Sequence, residues 1–91
     1  MSETKLNKNM TLEQINEWAE ERYKKFSEMS QYLNDYGKET FEALYEITWF
    51  MPFSDTKEEL ANNLKEAMDN GKIKKEGTIF KLNYFIKNYL I

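Results

Sequence analysis

The segment formed by residues 47–53 carries apolar side chains on every side of a helix and contains the single proline of the chain. It also holds three of the fourteen aromatic residues, namely Trp49, Phe50 and Phe53. A helix that is apolar all round has to be covered on more than one side. Two interpretations follow: either the fold wraps this segment on both sides, or the rings form an exposed patch that binds another molecule.

The length and composition of the chain limit what it can do. A chain of 91 residues is expected to form one domain with one modest core. The absence of cysteine and histidine removes disulfides, thiolate metal sites, the commonest general base and the commonest zinc ligand. We therefore predict a protein that is not an enzyme and that uses no cofactor and no metal.

The apolar runs of the sequence are short. None of them reaches the roughly 20 residues that a membrane-spanning helix needs, and the N-terminus has no apolar secretory segment. We therefore expect a cytoplasmic protein that does not associate with membranes.

Charge is distributed unevenly along the chain. Residues 12–70 contain fourteen acids and six bases, whereas residues 71–91 contain five lysines and one glutamate. An acidic body orients a protein towards a positively charged surface and accelerates its association with one. The expected partner is therefore a larger protein. A basic contact surface on that protein would complement the acidic body.

A single helical domain over residues 11–91 is predicted to follow a flexible arm over residues 1–10. Thr11 and Gln14 match a capping box, and apolar residues recur every three or four positions beyond it. The first glycine after this start is Gly37, and glycine commonly ends a helix. We therefore expect a first helix of about 25 residues, roughly 37 Å long, which allows a homodimer through its protruding part.

Two shorter helices are expected after the first. The second helix starts at Glu39 or Thr40 and ends before Pro52, because the residue that precedes a proline disfavours the helical conformation. The third helix starts with Thr56 as its cap and closes at Gly71.

The sequence beyond the third helix is interpreted as a β-hairpin. Glu76 and Gly77 fit a two-residue turn, and in that register Ile73, Phe80 and Leu82 share one face. The expected fold is mainly α (α+β): a three-helix core with a C-terminal, wing-like β-hairpin, followed by either a short last helix or a continued strand.

A helix followed at once by a hairpin resembles the recognition helix and wing of winged helix-turn-helix domains, over about residues 41–82. The string that carries this resemblance runs from residue 60 to residue 82, LANNLKEAMDNGKIKKEGTIFKL. The resemblance implies that the third helix enters the major groove of DNA and that the wing contacts phosphate. The residues that would then contact nucleic acid are Asn62, Asn63, Lys72, Lys74, Lys75 and Lys81.

Two functions are compatible with these patterns. Because acids outnumber bases on the third helix and phosphate binding requires positive charge, a winged helix DNA-binding transcriptional regulator is the second choice. The first is a non-enzymatic regulator or inhibitor that occludes a surface of a larger protein, a type found in phages and other mobile elements. Its predicted anchors are Trp49, Phe50, Met51 and Phe53, supported by Trp18, Arg22 and Tyr32.

Overall fold

The computed structural model describes residues 5–91, and the regular secondary structure in this part of the chain is all helix, without a β-strand. The expected α+β fold with a C-terminal hairpin is therefore wrong. Short 3₁₀ turns lie before and after the second helix, at Ser30–Tyr32 and Met51–Phe53. The longer elements are α1 (Leu12–Glu28), α2 (Asp35–Phe50), α3 (Lys57–Asp69), α4 (Glu76–Phe85) and a π-helical extension of α4 (Ile86–Leu90).

The first helix begins as predicted but ends earlier. The Gln14 backbone N–H donates to Thr11 Oγ1 at 3.2 Å and the Thr11 N–H donates to Gln14 Oε1 at 2.9 Å, which confirms the capping box. The helix ends at Glu28 instead of continuing to Gly37. The Gly37 N–H donates to Asn34 Oδ1 at 2.8 Å, so Asn34 caps a new helix in which Gly37 belongs to the first turn.

The junction between α2 and α3 is held by side-chain hydrogen bonds. Ser54 Oγ donates to the Phe50 carbonyl oxygen at 2.9 Å, and Asn63 Nδ2 donates to Ser54 Oγ at 2.9 Å. The predicted cap of the third helix is confirmed, because the Glu59 N–H donates to Thr56 Oγ1 at 3.1 Å. This junction fixes the end of α2 relative to α3.

The C-terminus of α3 is a Schellman motif. The Gly71 N–H donates to the Met68 carbonyl at 3.2 Å, and the Lys72 N–H donates to the Ala67 carbonyl at 3.0 Å. Gly71 has a φ of 75°, and the space where a Cβ would lie contains no atom within 4 Å. Glycine is therefore required here by the backbone conformation and not by packing.

Gly71→Ala is expected to lower the free energy of unfolding by about 1–2 kcal/mol, the usual cost of placing an L-residue in the left-handed region. Chemical denaturation monitored by circular dichroism measures this change. Gly71→Asn is the matched variant and is expected to cost less, because asparagine tolerates this conformation better than alanine. Equal losses for the two variants would contradict the conformational explanation.

The segment predicted to be a hairpin is the fourth helix. Gly77 lies in its first turn, where the Glu39 carboxylate of α2 occupies the space of a Gly77 Cβ. Thr78 Oγ1 donates to Glu42 Oε2 at 2.9 Å, which ties the start of α4 to α2. Gly77 thus permits a close approach between two helices instead of a β-turn, and the resemblance to a winged helix with a β-wing is wrong.

All four helices contribute to one core, with α2 packed against each of the other three. The buried stripe of α4 follows helical spacing, with Leu82 and Phe85 continued by Ile86 in the π-helical segment. Two residues of the segment 5–10 also pack on this core: Met10 is buried and Leu6 lies against it. The rest of the predicted flexible arm, residues 1–4, lies outside the described residues.

Candidate protein-binding surface

The rings at the end of α2 form an exposed cluster, which we call the aromatic corner and define as Trp49, Phe50 and Phe53. The Trp49 ring centroid lies 5.8 Å from that of Phe50 and 5.0 Å from that of Phe53. Trp49 is 47% exposed and Phe53 is 65% exposed, whereas Phe50 is half-buried against the core. The corner therefore presents two accessible rings on a partly buried base.

The helical geometry explains why these rings point outward. Ile47 and Met51 lie one turn apart and are both buried in the core, so the side chains between them face other directions. The 3₁₀ turn that contains Pro52 then carries Phe53 back beside Trp49. Met51, predicted to be a contact residue, is not available at the surface because its side chain is only 5% exposed.

Polar groups border the aromatic corner. The three rings line a shallow depression of about 540 Å³ together with Glu46, Asn63 and Lys72. Asn63 is already held by its hydrogen bond to Ser54, so it forms a fixed edge of this depression. The arrangement combines an apolar surface with the carboxyl group of Glu46 and the ammonium of Lys72 at its border, which is the pattern of a protein interface core with a polar rim.

Burial raises the pKa of the Glu46 carboxyl above its ordinary value of 4.5, and the nearby Glu42 carboxylate adds to the same effect. Three lysines also lie near these carboxyl groups. Lys72, Lys74 and Lys75 line the adjoining cleft together with Glu42 and Glu46. Lys75 Nζ lies 3.6 Å from Glu42 Oε1, so this lysine is paired with Glu42. Ionisation of the Glu46 carboxyl therefore costs more free energy in the folded protein than in the unfolded chain, in keeping with its raised pKa.

Glu46→Gln is expected to raise the free energy of unfolding at neutral pH. A raised carboxyl pKa means that the folded state binds the proton more tightly than the unfolded state, so stability falls as pH rises through that pKa. The gain from Glu46→Gln is therefore expected to be present at pH 7 and to disappear well below pH 4.5. Urea denaturation at both pH values measures it, and an equal effect at the two pH values would contradict this explanation.

The three supporting contact residues of the sequence analysis lie away from the aromatic corner. Trp18 is half-buried on α1, and its ring stacks on Phe85 with the centroids 6.1 Å apart. Arg22 is half-buried one turn further along α1. Tyr32 is 79% exposed in the 3₁₀ turn before α2. α2 separates Tyr32 from the corner by roughly 24 Å, and none of the three residues lines the depression at the corner.

The residues predicted to contact nucleic acid do not form a wing. Lys72 and Lys74 lie in the connection between α3 and α4, and Lys75 precedes the first turn of α4. Lys81 lies within α4, with its Nζ 3.4 Å from the centroid of the Tyr36 ring. The lysines are therefore distributed over a loop and a helix that packs on α2.

The two asparagines of α3 are also arranged differently from the predicted recognition helix. Asn62 is exposed, but Asn63 is half-buried and its amide is used at the junction with Ser54. Without a wing, and with one asparagine used internally, the arrangement that the DNA-binding hypothesis requires is absent from residues 5–91.

Between residues 5 and 91, the acidic side chains form no group of three or more that could hold a metal ion. None of the helices described here is both long and apolar enough to cross a membrane.

A second surface was not found from the sequence. A groove of about 620 Å³ lies between α1, α2 and α4, and its lining extends along α2 from Tyr36 to Ile47. Phe80 and Tyr84 form part of its edge and are well exposed. Their spacing of four residues, offset from the buried stripe of α4, is the signal that could have revealed it.

Comparison of this chain with protein families, with curated proteins and with solved structures finds no match.

Proposed function

We propose that this protein is a non-enzymatic regulator or inhibitor that binds a larger protein through the aromatic corner and occludes the surface it covers. The observation that carries this proposal is the exposure of Trp49 and Phe53 beside two residues, Ile47 and Met51, that are buried. The core is already filled by other residues, so these two rings are not needed to complete it. Exposed and clustered aromatic side chains are the groups that dominate the energy of protein interfaces.

The charge distribution supports a partner with a basic surface. Residues 12–70 carry fourteen acids and six bases, and the exposed side of α1 contributes Glu13, Glu17, Glu20, Glu21 and Glu28 to this excess. Such a field attracts a positively charged surface and orients the encounter, although it adds less to affinity than the apolar anchors do. The proposed mechanism is therefore electrostatic steering followed by insertion of the two rings.

The geometry of the corner also supports steric occlusion instead of chemistry. Trp49 and Phe53 are rigid side chains with few rotatable bonds, so little conformational entropy is lost when they are fixed in a partner's pocket. The Ser54 and Asn63 hydrogen bonds hold the backbone beneath them. A pre-organised apolar projection of this kind blocks a partner's surface by filling it.

Affinity capture from a lysate of the native host tests this proposal. Three baits are compared: the unaltered protein, the double variant Trp49→Ala/Phe53→Ala, and the control variant Phe80→Ala, which removes an exposed ring outside the corner. We expect the same protein to be retained by the first and third baits and lost from the second. Retention of every captured protein by the double variant would contradict the proposal.

A further inference from the structure

The groove between α1, α2 and α4 differs in chemistry from the aromatic corner. Trp18 and Phe26 of α1 line one wall, Ala43 of α2 lies among the lining residues, and Phe80 and Tyr84 of α4 line the other wall. Its volume of about 620 Å³ falls within the roughly 300–1,000 Å³ typical of sites that bind small molecules. The groove therefore has the size and the apolar lining of a ligand site.

One charged side chain borders this groove. Lys81 is the only charged residue among the described residues that line it, and none of those residues is acidic. The Lys81 ammonium lies over the Tyr36 ring, with Nζ 3.4 Å from the ring centroid, and is half-buried. A ring face accepts a cation but leaves ammonium N–H groups able to donate to an anion. Lys81 belongs to the basic C-terminal part of the chain, residues 71–91, in a protein whose net charge is −3.

We propose that the groove binds a small amphipathic monocarboxylate, with its apolar body between the helices and its carboxylate at Lys81. A single cation beside an apolar channel matches a ligand that has one anionic end, because burying more than one charge there would leave the others unpaired. A long acidic peptide fits less well, since only one positively charged residue is present to meet it. This proposal goes beyond the protein-binding function and does not depend on it.

Decanoate is a suitable probe, and decanol is its uncharged counterpart with the same alkyl chain. The Trp49→Phe variant leaves Trp18 as the only tryptophan of the chain, so fluorescence then reports on the groove and not on the aromatic corner. Decanoate is expected to change Trp18 fluorescence saturably and to bind about tenfold more tightly than decanol. Equal affinity for the two probes, or no saturable change with decanoate, would overturn the proposal.

Two substitutions in the Trp49→Phe background locate the ligand. Lys81→Met keeps an apolar stem of similar length and is expected to weaken decanoate binding about tenfold while leaving decanol binding unchanged. Thr40→Phe adds a ring on the α2 side of the groove and is expected to abolish binding of both probes. Unchanged decanoate binding in Lys81→Met would overturn the proposal, and this test stands if Thr40→Phe does not fold.

A second copy of the chain is the main competing occupant. Sedimentation of the Trp49→Phe protein over a range of concentrations is expected to give a monomer whose groove is open to decanoate. A contrary result would be a dimer that decanoate dissociates only at concentrations that also unfold the protein. The groove would then belong to the dimer interface, and the proposal would fail. Because the groove and the depression at the aromatic corner share no lining residue, failure here leaves the protein-binding proposal to be judged separately in the protein with both tryptophans.

Discussion

Leu82→Ala is expected to lower the free energy of unfolding by about 2–5 kcal/mol, whereas Phe80→Ala is expected to change it by less than about 0.5 kcal/mol. Leu82 is completely buried, and Phe80, two residues earlier, is 71% exposed. In a helix, residues two apart face different directions, but in a strand they share a face. The pair therefore distinguishes the helix Glu76–Phe85 from the hairpin that the sequence first suggests.

The expected loss at Leu82 is large for a domain of this size. A protein of this class is typically stable by about 5–15 kcal/mol, so Leu82→Ala removes a substantial part of the total. Urea denaturation followed by circular dichroism measures both variants. Leu82→Met conserves volume and serves as the control, with an expected cost below about 1.5 kcal/mol. Similar losses for Phe80→Ala and Leu82→Ala would support a hairpin and contradict the four-helix fold.

The second large effect concerns binding. Once a partner has been isolated by differential capture, Phe53→Ala is expected to weaken the complex at least about thirtyfold, which corresponds to the 2 kcal/mol that defines an interface hot spot. Trp49→Ala is expected to have an effect of similar size. Because both rings are substantially exposed, neither change is expected to lower the melting temperature by more than a few degrees.

Isothermal titration calorimetry with the isolated partner measures these affinities, and the Phe80→Ala variant again provides an exposed-ring control. The two anchors touch each other, with centroids 5.0 Å apart, so the effect of the double variant need not equal the sum of the single effects. Loss of folding in Phe53→Ala would instead make that ring part of the core. A calorimetric affinity that is unchanged in both single variants would remove the corner from the binding surface.

Local signals predicted the ends of several helices correctly. Thr11 and Thr56 act as caps, and Gly71 terminates the third helix with a positive φ. Each of these features depends on residues within one turn of the helix, so the sequence contains all the information that is needed. The start and end of a helix are predictable where the stabilising partners are neighbours in the chain.

Two glycines have structural roles that differ from the predicted ones, because glycine is compatible with several structures. Gly37 was expected to end the first helix, but Asn34 three residues earlier accepts its N–H and starts α2. Gly77 was expected to form a hairpin turn, but it allows the Glu39 carboxylate of α2 to lie against α4. The residue that decides the structure at Gly77 is far away in the sequence, so no local pattern identifies it.

The candidate surfaces were predictable to different extents. The aromatic corner comes from a single continuous segment, and the density of rings around Trp49 singles that segment out in the sequence. Whether the rings are buried or exposed was not predicted and follows from the packing of α2. The groove between α1, α2 and α4 is lined by Trp18, Ala43 and Phe80, which come from three separate helices. It therefore follows only from the way these helices pack. The orientation of Met51 also depends on packing, and its burial removes it from the surface that the sequence suggested.

Site-specific photocrosslinking in host cells tests most directly whether the aromatic corner contacts another protein. Phe53 is replaced by p-benzoylphenylalanine, which keeps an aromatic ring at the position, and Asn62, exposed on α3, is replaced in the same way as the control. We predict that irradiation joins the probe at position 53 to one protein, with no comparable product from position 62. Irradiation that yields no protein adduct from position 53, in cells that contain the folded variant, would contradict the account.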